Sequence, residues 1–281
     1  MIERTQDADA YVYHYTSTDV AQKILESGNL RLGRYRNTND PKESKDWHFS
    51  VGTNMNRNVE YKVAQGLSDW LCGELKESAR LACFCLDRGP LSGDHLKDLF
   101  NRGYCKPRMW AQYAASHTGV CLIFRKDLLM NAQSERFGQS VPVMSGPVTY
   151  RDRSVVPNLF APDEQQYTIN MDVLEQVGKR RYLLMHVQTH HGRLFFEKMR
   201  DWENENEWRI VVIDKSAGEI EFSFRQALVG IMFGDSTDGE TARRLMEVSA
   251  QYSPWFMALK WQNCTPWYDY TNKLFSRQLH G

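Results

Sequence analysis

The sequence predicts a mixed α+β fold of two packed, mostly antiparallel sheets with helices on the outside. Three observations lead there. Apolar runs such as Leu81-Ala82-Cys83-Phe84-Cys85-Leu86 and Leu228-Val229-Gly230-Ile231-Met232-Phe233 are short, which suits strands. Stretches with helical spacing do not alternate regularly with those runs, which argues against a doubly wound parallel sheet. No internal repeat, low-complexity segment or linker-like shift divides the 281 residues, so one domain over 1–281 is the simplest organisation.

The elements follow in order. Tyr11 to Tyr15 reads as a first strand. Thr16 opens a helix with Asp19 in the capping-box position, Val20, Ile24 and Leu25 as its apolar stripe, and Gly28 as its stop. Leu30 to Leu32 is a short strand. Asn39-Asp40-Pro41 is a turn that starts a second helix. A polar helical stretch runs on to about Lys76, with Val63, Leu67, Trp70 and Leu71 at helical spacing. Ala82 to Leu86 is a compact strand, Arg88 to His95 a loop, Met109 to Ala115 a short helix, and Val120 to Phe124 a buried strand. Val148 to Tyr150 is a strand, and Tyr167 to Val187 one long helix. Arg209 to Ile213 and Ile220 to Phe224 read as a strand pair joined across Ser216-Ala217-Gly218. Leu228 to Phe233, a helix from Glu240 to Gln251, and a strand from Phe256 to Trp261 complete the set.

Charge and composition narrow the partners. Lys+Arg 35 balances Asp+Glu 35, so no global field draws the chain to nucleic acid or to an anionic membrane. A polyanion would need a local basic patch. No apolar stretch approaches bilayer length, and the N-terminal residues lack the apolar core of a signal peptide. The six cysteines show no C-x-x-C spacing. They read as buried free thiols in a reducing compartment, and the expected location is cytoplasmic.

Two segments put polar groups where propensity does not ask for them. Tyr11-Val12-Tyr13-His14-Tyr15-Thr16 ends a strand on a histidine, directly before a helix. Trp202-Glu203-Asn204-Glu205-Asn206-Glu207-Trp208-Arg209 leads into an apolar strand. If that strand starts early, Glu203, Glu205 and Glu207 share one face and repel each other unless a basic partner or a substrate lies opposite. The plainer readings are a satisfied core histidine and a solvated loop, and Asn204 and Asn206 favour the loop. Walker A, G-x-G-x-x-G, H-E-x-x-H and G-x-S-x-G patterns are absent. His190-His191 and the pair Cys83 and Cys85 lack a spaced third ligand, so no metal is expected. Arg31, Arg34 and Arg36 with Tyr35 between them could hold phosphates and stack on a base.

Tyr13-His14-Tyr15-Thr16, Gly28, Asn39-Asp40-Pro41 with Glu43, Cys83-Phe84, Met109-Trp110-Ala111-Gln112-Tyr113-Ala114, His117-Thr118-Gly119, Lys198, Trp202, Glu205-Asn206-Glu207-Trp208-Arg209 and Ile231-Met232-Phe233-Gly234 resemble a bacterial family known as a domain of unknown function. The two ends of that pattern are similar to the ADP-ribosyltransferase superfamily, especially the toxins that modify nucleic acid. The resemblance implies an ADP-ribosyltransferase-like fold and transfer of ADP-ribose from NAD, a co-substrate, without metal. Carried over residue by residue, it makes Glu207 the catalytic glutamate, Glu205 its E-x-E companion and His14 the NAD-holding histidine. Tyr15, Thr16, Tyr113 and Arg34 would join His14 at the cofactor, with Tyr113 or Tyr15 as the site's aromatic. It implies a toxin or anti-phage effector acting on RNA or DNA in preference to protein. Arg31, Arg34, Tyr35 and Arg36 would then face the nucleic acid, and a cognate antitoxin would be a partner.

Two other classes compete. One is an inactive binding module of the same fold, with Trp110, Trp202, Trp208, Trp255, Trp261 and Trp267 as anchors. The other is a nuclease with Asp40, Glu43, Glu205 and Glu207 around a divalent ion.

Overall fold

A computed structural model describes residues 5–55, 57–138, 141–153, 162–216, 218–224, 226–263 and 265–269. Its elements in chain order are β1 (Tyr11–Thr16), α1 (Thr18–Ser27), β2 (Asn29–Arg34), α2 (Pro41–Ser44), β3 (Ser50–Gly52), α3 (Tyr61–Ser78), β4 (Ala79–Leu86), α4 (His95–Asp98), α5 (Pro107–Tyr113), β5 (Val120–Arg125), α6 (Lys126–Phe137), β6 (Val143–Pro147) and β7 (Thr149–Tyr150). They continue with β8 (Thr168–Asn170), α7 (Met171–Val177), α8 (Lys179–Phe195), β9 (Glu197–Lys198), β10 (Glu207–Ile213), β11 (Ile220–Ser223), β12 (Leu228–Phe233), α9 (Gly239–Ser249), β13 (Trp255–Gln262) and β14 (Thr265–Asp269).

The expected pair of packed sheets is instead one connected, mostly antiparallel sheet that forks at β4. One edge of β4 is covered along its length by β10, which in turn pairs with β6. The other edge is shared. β2 pairs with its start, at Arg80 and Leu81, and β1 with its end, at Cys85 and Leu86. From β1 the sheet runs on through β5, β12, β13 and β14, and from β2 it runs to β11. Between the two branches Ala82, Cys83 and Phe84 have no strand partner on that edge. The fork is what makes room for a site. Two short parallel pairs, β3 with β8 and β7 with β9, stand apart from this sheet.

Period-two alternation assigns the core. Phe84 of β4, Leu122 and Phe124 of β5, and Trp208 and Ile210 of β10 face a cluster closed by Ala21, Ile24 and Leu25 of α1 and Ala242, Leu245 and Met246 of α9. The opposite face carries two clusters. α3 and α8 cover one with Leu71, Leu75, Leu183 and Val187. α5 covers the other, where Trp110 packs by Tyr13, Tyr15, Cys85 and Cys121. Trp110 and Trp208, expected as interface anchors, are core residues at 0% and 2% exposure.

Several local expectations change. β1 extends through Thr16, and Ser17 rather than Thr16 caps α1, accepting from the Val20 N–H. The glycine stop is as read: Gly28 adopts φ 69, a left-handed conformation that costs glycine nothing. The helical stretch read from Pro41 to Lys76 is broken into α2, β3 and α3, and the one read from Tyr167 to Val187 into β8, α7 and α8, with Gly178 at φ 78 between the helices. β10 and β11 are not a hairpin, because β10 satisfies its ladder with β4 and β6 while β11 pairs with β2. Ala217, in the connection read as their turn, lies outside the described residues. The five described cysteines are free thiols. No described helix is long and apolar enough to cross a membrane.

Candidate active site

A cavity of about 240 Å³ opens on the α3, α5 and α8 side of the sheet, at the fork. Its floor is Tyr13, His14 and Tyr15 from β1, Cys83, Phe84 and Cys85 from β4, and Glu207 and Arg209 from β10. The loop Asn37 to Asp40 with Glu43 forms one wall, and Met109, Tyr113, Lys198 and Glu205 form the other.

His14 sits where the sheet splits. Its Nδ1 lies 3.0 Å from the Cys83 carbonyl, an acceptor that a neighbouring strand would otherwise satisfy. Its ring also packs against Phe84, with centroids 5.6 Å apart. Burial lowers its pKa against the opposing effect of that carbonyl, so the imidazole is neutral at pH 7. Glu207 and Tyr13 both lie opposite Cys85, on either edge of β4. His14 and Glu207 are therefore one strand apart, roughly 10 Å between their strand axes.

The glutamates do not stack as three. Arg200–Glu205 is a 3-10 turn, Asn206 takes the left-handed conformation at φ 46, and the strand starts only at Glu207. Asparagine tolerates that conformation, and the Asn206 amide donates to the carbonyls of Leu86 and Asp87 at 3.0 Å each. The turn leaves Glu203 exposed and sends Glu205 and Glu207 into the same cavity.

Their like charges are separated by buried cations. Lys198 Nζ lies 2.8 Å from a carboxylate oxygen of both Glu205 and Glu207. Arg209 is fully buried and bidentate to Glu207, at 2.5 and 3.0 Å, and reaches Glu43 at 2.5 Å. Its remaining nitrogen donates to the Phe195 carbonyl at 2.7 Å. The Tyr113 hydroxyl donates to Glu205 at 2.8 Å. Burial alone would raise the Glu207 carboxyl, but Arg209 and Lys198 outweigh it and hold it at about 2. Burial would lower the Lys198 ammonium, and Glu207 with its neighbouring carboxylates keeps it charged. Burial raises Glu43 despite Arg209.

The loop wall is fastened from behind. Lys76, fully buried, donates to the carbonyls of Lys42 at 3.1 Å and Glu43 at 2.6 Å, and lies 3.6 Å over the Trp47 ring. Burial pulls its ammonium down to about 7. Lys42 in turn donates to the Glu197 carbonyl at 2.7 Å.

Of the residues singled out from sequence, His14, Tyr15, Tyr113, Glu205 and Glu207 meet in the cavity. Thr16 does not. It is buried at the end of β1, paired with Val120. The arginines of the basic cluster are exposed and ion-paired. Arg31 pairs with Glu219, Arg34 with Glu77, and Arg36 with Asp46 and Glu77. Tyr35 is 1% exposed and donates its hydroxyl to the Leu194 carbonyl, so it presents no ring to a base. Arg34 does not line the cavity. A metal cage of Asp40, Glu43, Glu205 and Glu207 is not formed: Arg209 bridges Glu43 and Glu207, Lys198 bridges Glu205 and Glu207, and no metal-ligating group of three is found among the described residues. Arg209 and Lys198 carry the counter-charges of the site, which no sequence motif assigned to them. The signal was present: a charge inside Trp208-Arg209-Ile210-Val211-Val212, and a Glu-Lys pair directly after Leu194-Phe195-Phe196.

A second basic and aromatic group lies beside the cavity, on the 3-10 turn that carries Glu205. Arg108 donates to the Asp201 carbonyl at 3.1 Å and stands 5.6 Å from the Trp202 ring centre. Arg88 donates to the Glu203 carbonyl and the Asn204 side chain, both at 3.2 Å. Lys106 reaches the carbonyl of Phe100, whose ring is 62% exposed.

Comparison with known proteins adds a family model described as "Protein of unknown function (DUF2971)", which matches residues 109–210. That stretch runs from α5 into β10 and includes Tyr113, Lys198, Glu205, Glu207 and Arg209. No curated protein matches the chain. Among solved structures, DarT from Thermus sp. 2.9, in complex with ADP-ribosylated single-stranded DNA, is similar with a TM-score of 0.33 and 12% identity, over 90% of this chain and 95% of that one.

Proposed function

We propose that the chain cleaves the nicotinamide–ribose bond of NAD and transfers ADP-ribose to a macromolecular acceptor. The observation that carries this reading is the sign of charge in the cavity. Four carboxylates, Asp40, Glu43, Glu205 and Glu207, line it against two cations, Lys198 and Arg209, a formal balance of −2. Protonation of Glu43 would leave −1. The nicotinamide ring of NAD is a cation, and positive charge shifts onto the ribose as the bond breaks. An ionised carboxylate held in place before the reaction stabilises that charge without reorganising. Tyr15 and Tyr113 supply aromatic surface for a flat cationic ring.

In this mechanism Glu207 is the fixed anion, and Lys198 and Arg209 orient it. Nicotinamide leaves with the bonding electron pair. The acceptor's nucleophile attacks the ribose carbon and loses its proton to a carboxylate. Glu205 suits that role, because its own turn forms the rim by Arg108 and Trp202. A cavity of about 240 Å³ is smaller than the 300–1,000 Å³ of pockets for drug-sized ligands. It suits the nicotinamide and its ribose, with the rest of the dinucleotide along the rim.

We infer nucleic acid as the acceptor. Its support is the rim of Arg88, Arg108, Trp202 and Phe100, which can hold phosphates and stack a base. This rim takes the place of the Arg31, Arg34 and Arg36 cluster. A toxin of this kind would require a neutralising partner, and poor expression of the wild type relieved by Glu207→Gln would reveal one. A second reading, a cation-binding module without turnover, is favoured by how fully Arg209 and Lys198 occupy the Glu207 oxygens.

NAD labelled separately in nicotinamide and adenylate separates these readings. Transfer predicts nicotinamide release and adenylate label that nuclease, not protease, liberates from a lysate. Protease-sensitive label would move the acceptor to protein. Binding of NAD without nicotinamide release would establish the module, and neither binding nor release would end the NAD reading.

A further inference from the structure

Of the carboxylates that line the cavity, three have a buried cation within 2.8 Å: Glu43 has Arg209, Glu205 has Lys198, and Glu207 has both. Asp40 differs. It is 2% exposed, and its Oδ1 accepts the Lys42 N–H at 2.9 Å to cap α2. Its Oδ2 is buried and, like the Glu43 oxygens, has no hydrogen-bond partner among the described residues, but no ion pair with a buried cation compensates it as Arg209 compensates Glu43. A buried acceptor left unmade keeps the full cost of its lost hydration, so native structures rarely hold one without a purpose. The loop cannot easily turn to satisfy it. Lys76 holds the carbonyls of Lys42 and Glu43, Lys42 Nζ is tied to the carbonyls of Arg193 and Glu197, and Thr38 Oγ1 donates to the Tyr35 carbonyl at 3.1 Å.

We propose that Asp40 is a specificity-determining residue of the NAD site, its Oδ2 accepting a hydrogen bond from a donor group of the ligand. A carboxylate oxygen only accepts, so the ligand must present an N–H or O–H. Near the bond to be broken NAD offers two such donors, the carboxamide NH2 and the ribose hydroxyls. A site built around a buried acceptor rejects ligands that lack the matching donor, because the acceptor is then left dry and unpaired. The inference rests on the NAD reading above. It gives the Asn39-Asp40-Pro41 turn a role beyond starting a helix.

Asp40→Asn is the informative variant. Asparagine is as good an N-cap, so its oxygen stays on the Lys42 N–H and its NH2 takes the place of Oδ2. One hydrogen-bond polarity is reversed and the loop is kept. Asp40→Ser, which caps α2 without any group at Oδ2, is the companion variant. Nicotinamide-ring release is measured from NAD, from its nicotinic acid analogue, and from its 2′-deoxy and 3′-deoxy ribose analogues. With the carboxamide as donor, Asp40→Asn lowers the kcat/KM preference for NAD over the acid analogue at least tenfold and leaves the deoxy ratios unchanged. With a ribose hydroxyl as donor, one deoxy ratio collapses instead. In both cases Asp40→Ser raises KM for NAD. If the wild type turns over NAD while both variants, folded by thermal melting, keep every ratio within twofold, the inference is overturned and the NAD reading stands. If the wild type neither binds nor cleaves NAD, both fall together.

Discussion

Arg209→Met removes a guanidinium that is fully buried and holds Glu43 and Glu207 from the middle of β10. Met keeps much of the volume and none of the charge. The variant leaves Glu43 without its cation and Glu207 with Lys198 alone, which Glu205 also holds, and strands the Phe195 carbonyl that Arg209 Nη1 satisfied. Breaking a buried ion pair from one side costs roughly 3–5 kcal/mol, because the abandoned charge stays desolvated. With a urea slope of about 3 kcal/mol per molar, the unfolding midpoint should fall by about 1–1.7 M at pH 7.5. Adding Glu43→Gln removes one of the stranded charges and should restore part of the loss, roughly 1–2 kcal/mol. In the Arg209 background the same Glu43→Gln change should destabilise or be neutral. Equilibrium urea unfolding of the four proteins, followed by tryptophan fluorescence, supplies the cycle. Additivity within about 0.5 kcal/mol, or an Arg209→Met midpoint equal to wild type, would refute the view that this guanidinium balances the two carboxylates.

Other consequences can be checked separately. His186 is buried, with Nε2 2.9 Å from the Gln166 carbonyl, and burial with His190 beside it lowers its pKa from 6.5 to about 4. Between those values the unfolded chain holds the proton and the folded chain does not, so stability rises with pH through that window and is lost on acidification, by about 3 kcal/mol in all. His186→Phe should flatten the slope of stability between pH 4 and 6.5 relative to wild type in urea melts. Gly119 lies where a Cβ would stand 2.3 Å from the Thr16 carbonyl oxygen and 2.8 Å from that of Ala114, whereas Gly73 in α3 has nothing within 4 Å. Gly119→Ala should lower Tm by about 5–10 °C, and Gly73→Ala should raise it slightly, by differential scanning calorimetry. Arg108→Gln with Trp202→Ala should cut label transfer to nucleic acid more than tenfold and lower nicotinamide release by a clearly smaller factor, since both lie on the rim and outside the cavity.

The sequence was most legible where one local rule decides the outcome. α1 followed from Ile24, Leu25 and its glycine stop, although Val20 of the expected stripe is exposed and Ala21 is buried instead, and β5 and β12 followed from short apolar runs. The His117-Thr118-Gly119 and Phe233-Gly234 strings have a packing cause: the Gly234 N–H donates to the Gly119 carbonyl, and a Cβ on Gly234 would meet the His117 carbonyl at 2.1 Å. Pairing was less legible. Alternation says which residues share a face, and says nothing of which strand lies alongside, so β10 and β11 read as a hairpin although each takes a distant partner. The fork that opens the cavity is invisible for the same reason. At the site, Glu205, Glu207, His14 and Tyr113 stood out as polar groups in odd places, but their counter-charges did not. Lys198 comes from β9, just after α8, and Glu43 from α2, more than 150 residues earlier. The ion pairs of Arg31, Arg34 and Arg36 were not legible because acidic partners such as Glu77 and Glu219 are brought to them only by folding.

The most direct test is single-turnover release of nicotinamide from NAD by the wild type and by Glu207→Gln, with circular dichroism and Tm confirming that the variant is folded. Release by the wild type, with a fall on the order of a hundredfold or more in the variant, is the predicted result. Equal rates in the two folded proteins, or no release by the wild type at millimolar NAD, would contradict a catalytic carboxylate at position 207.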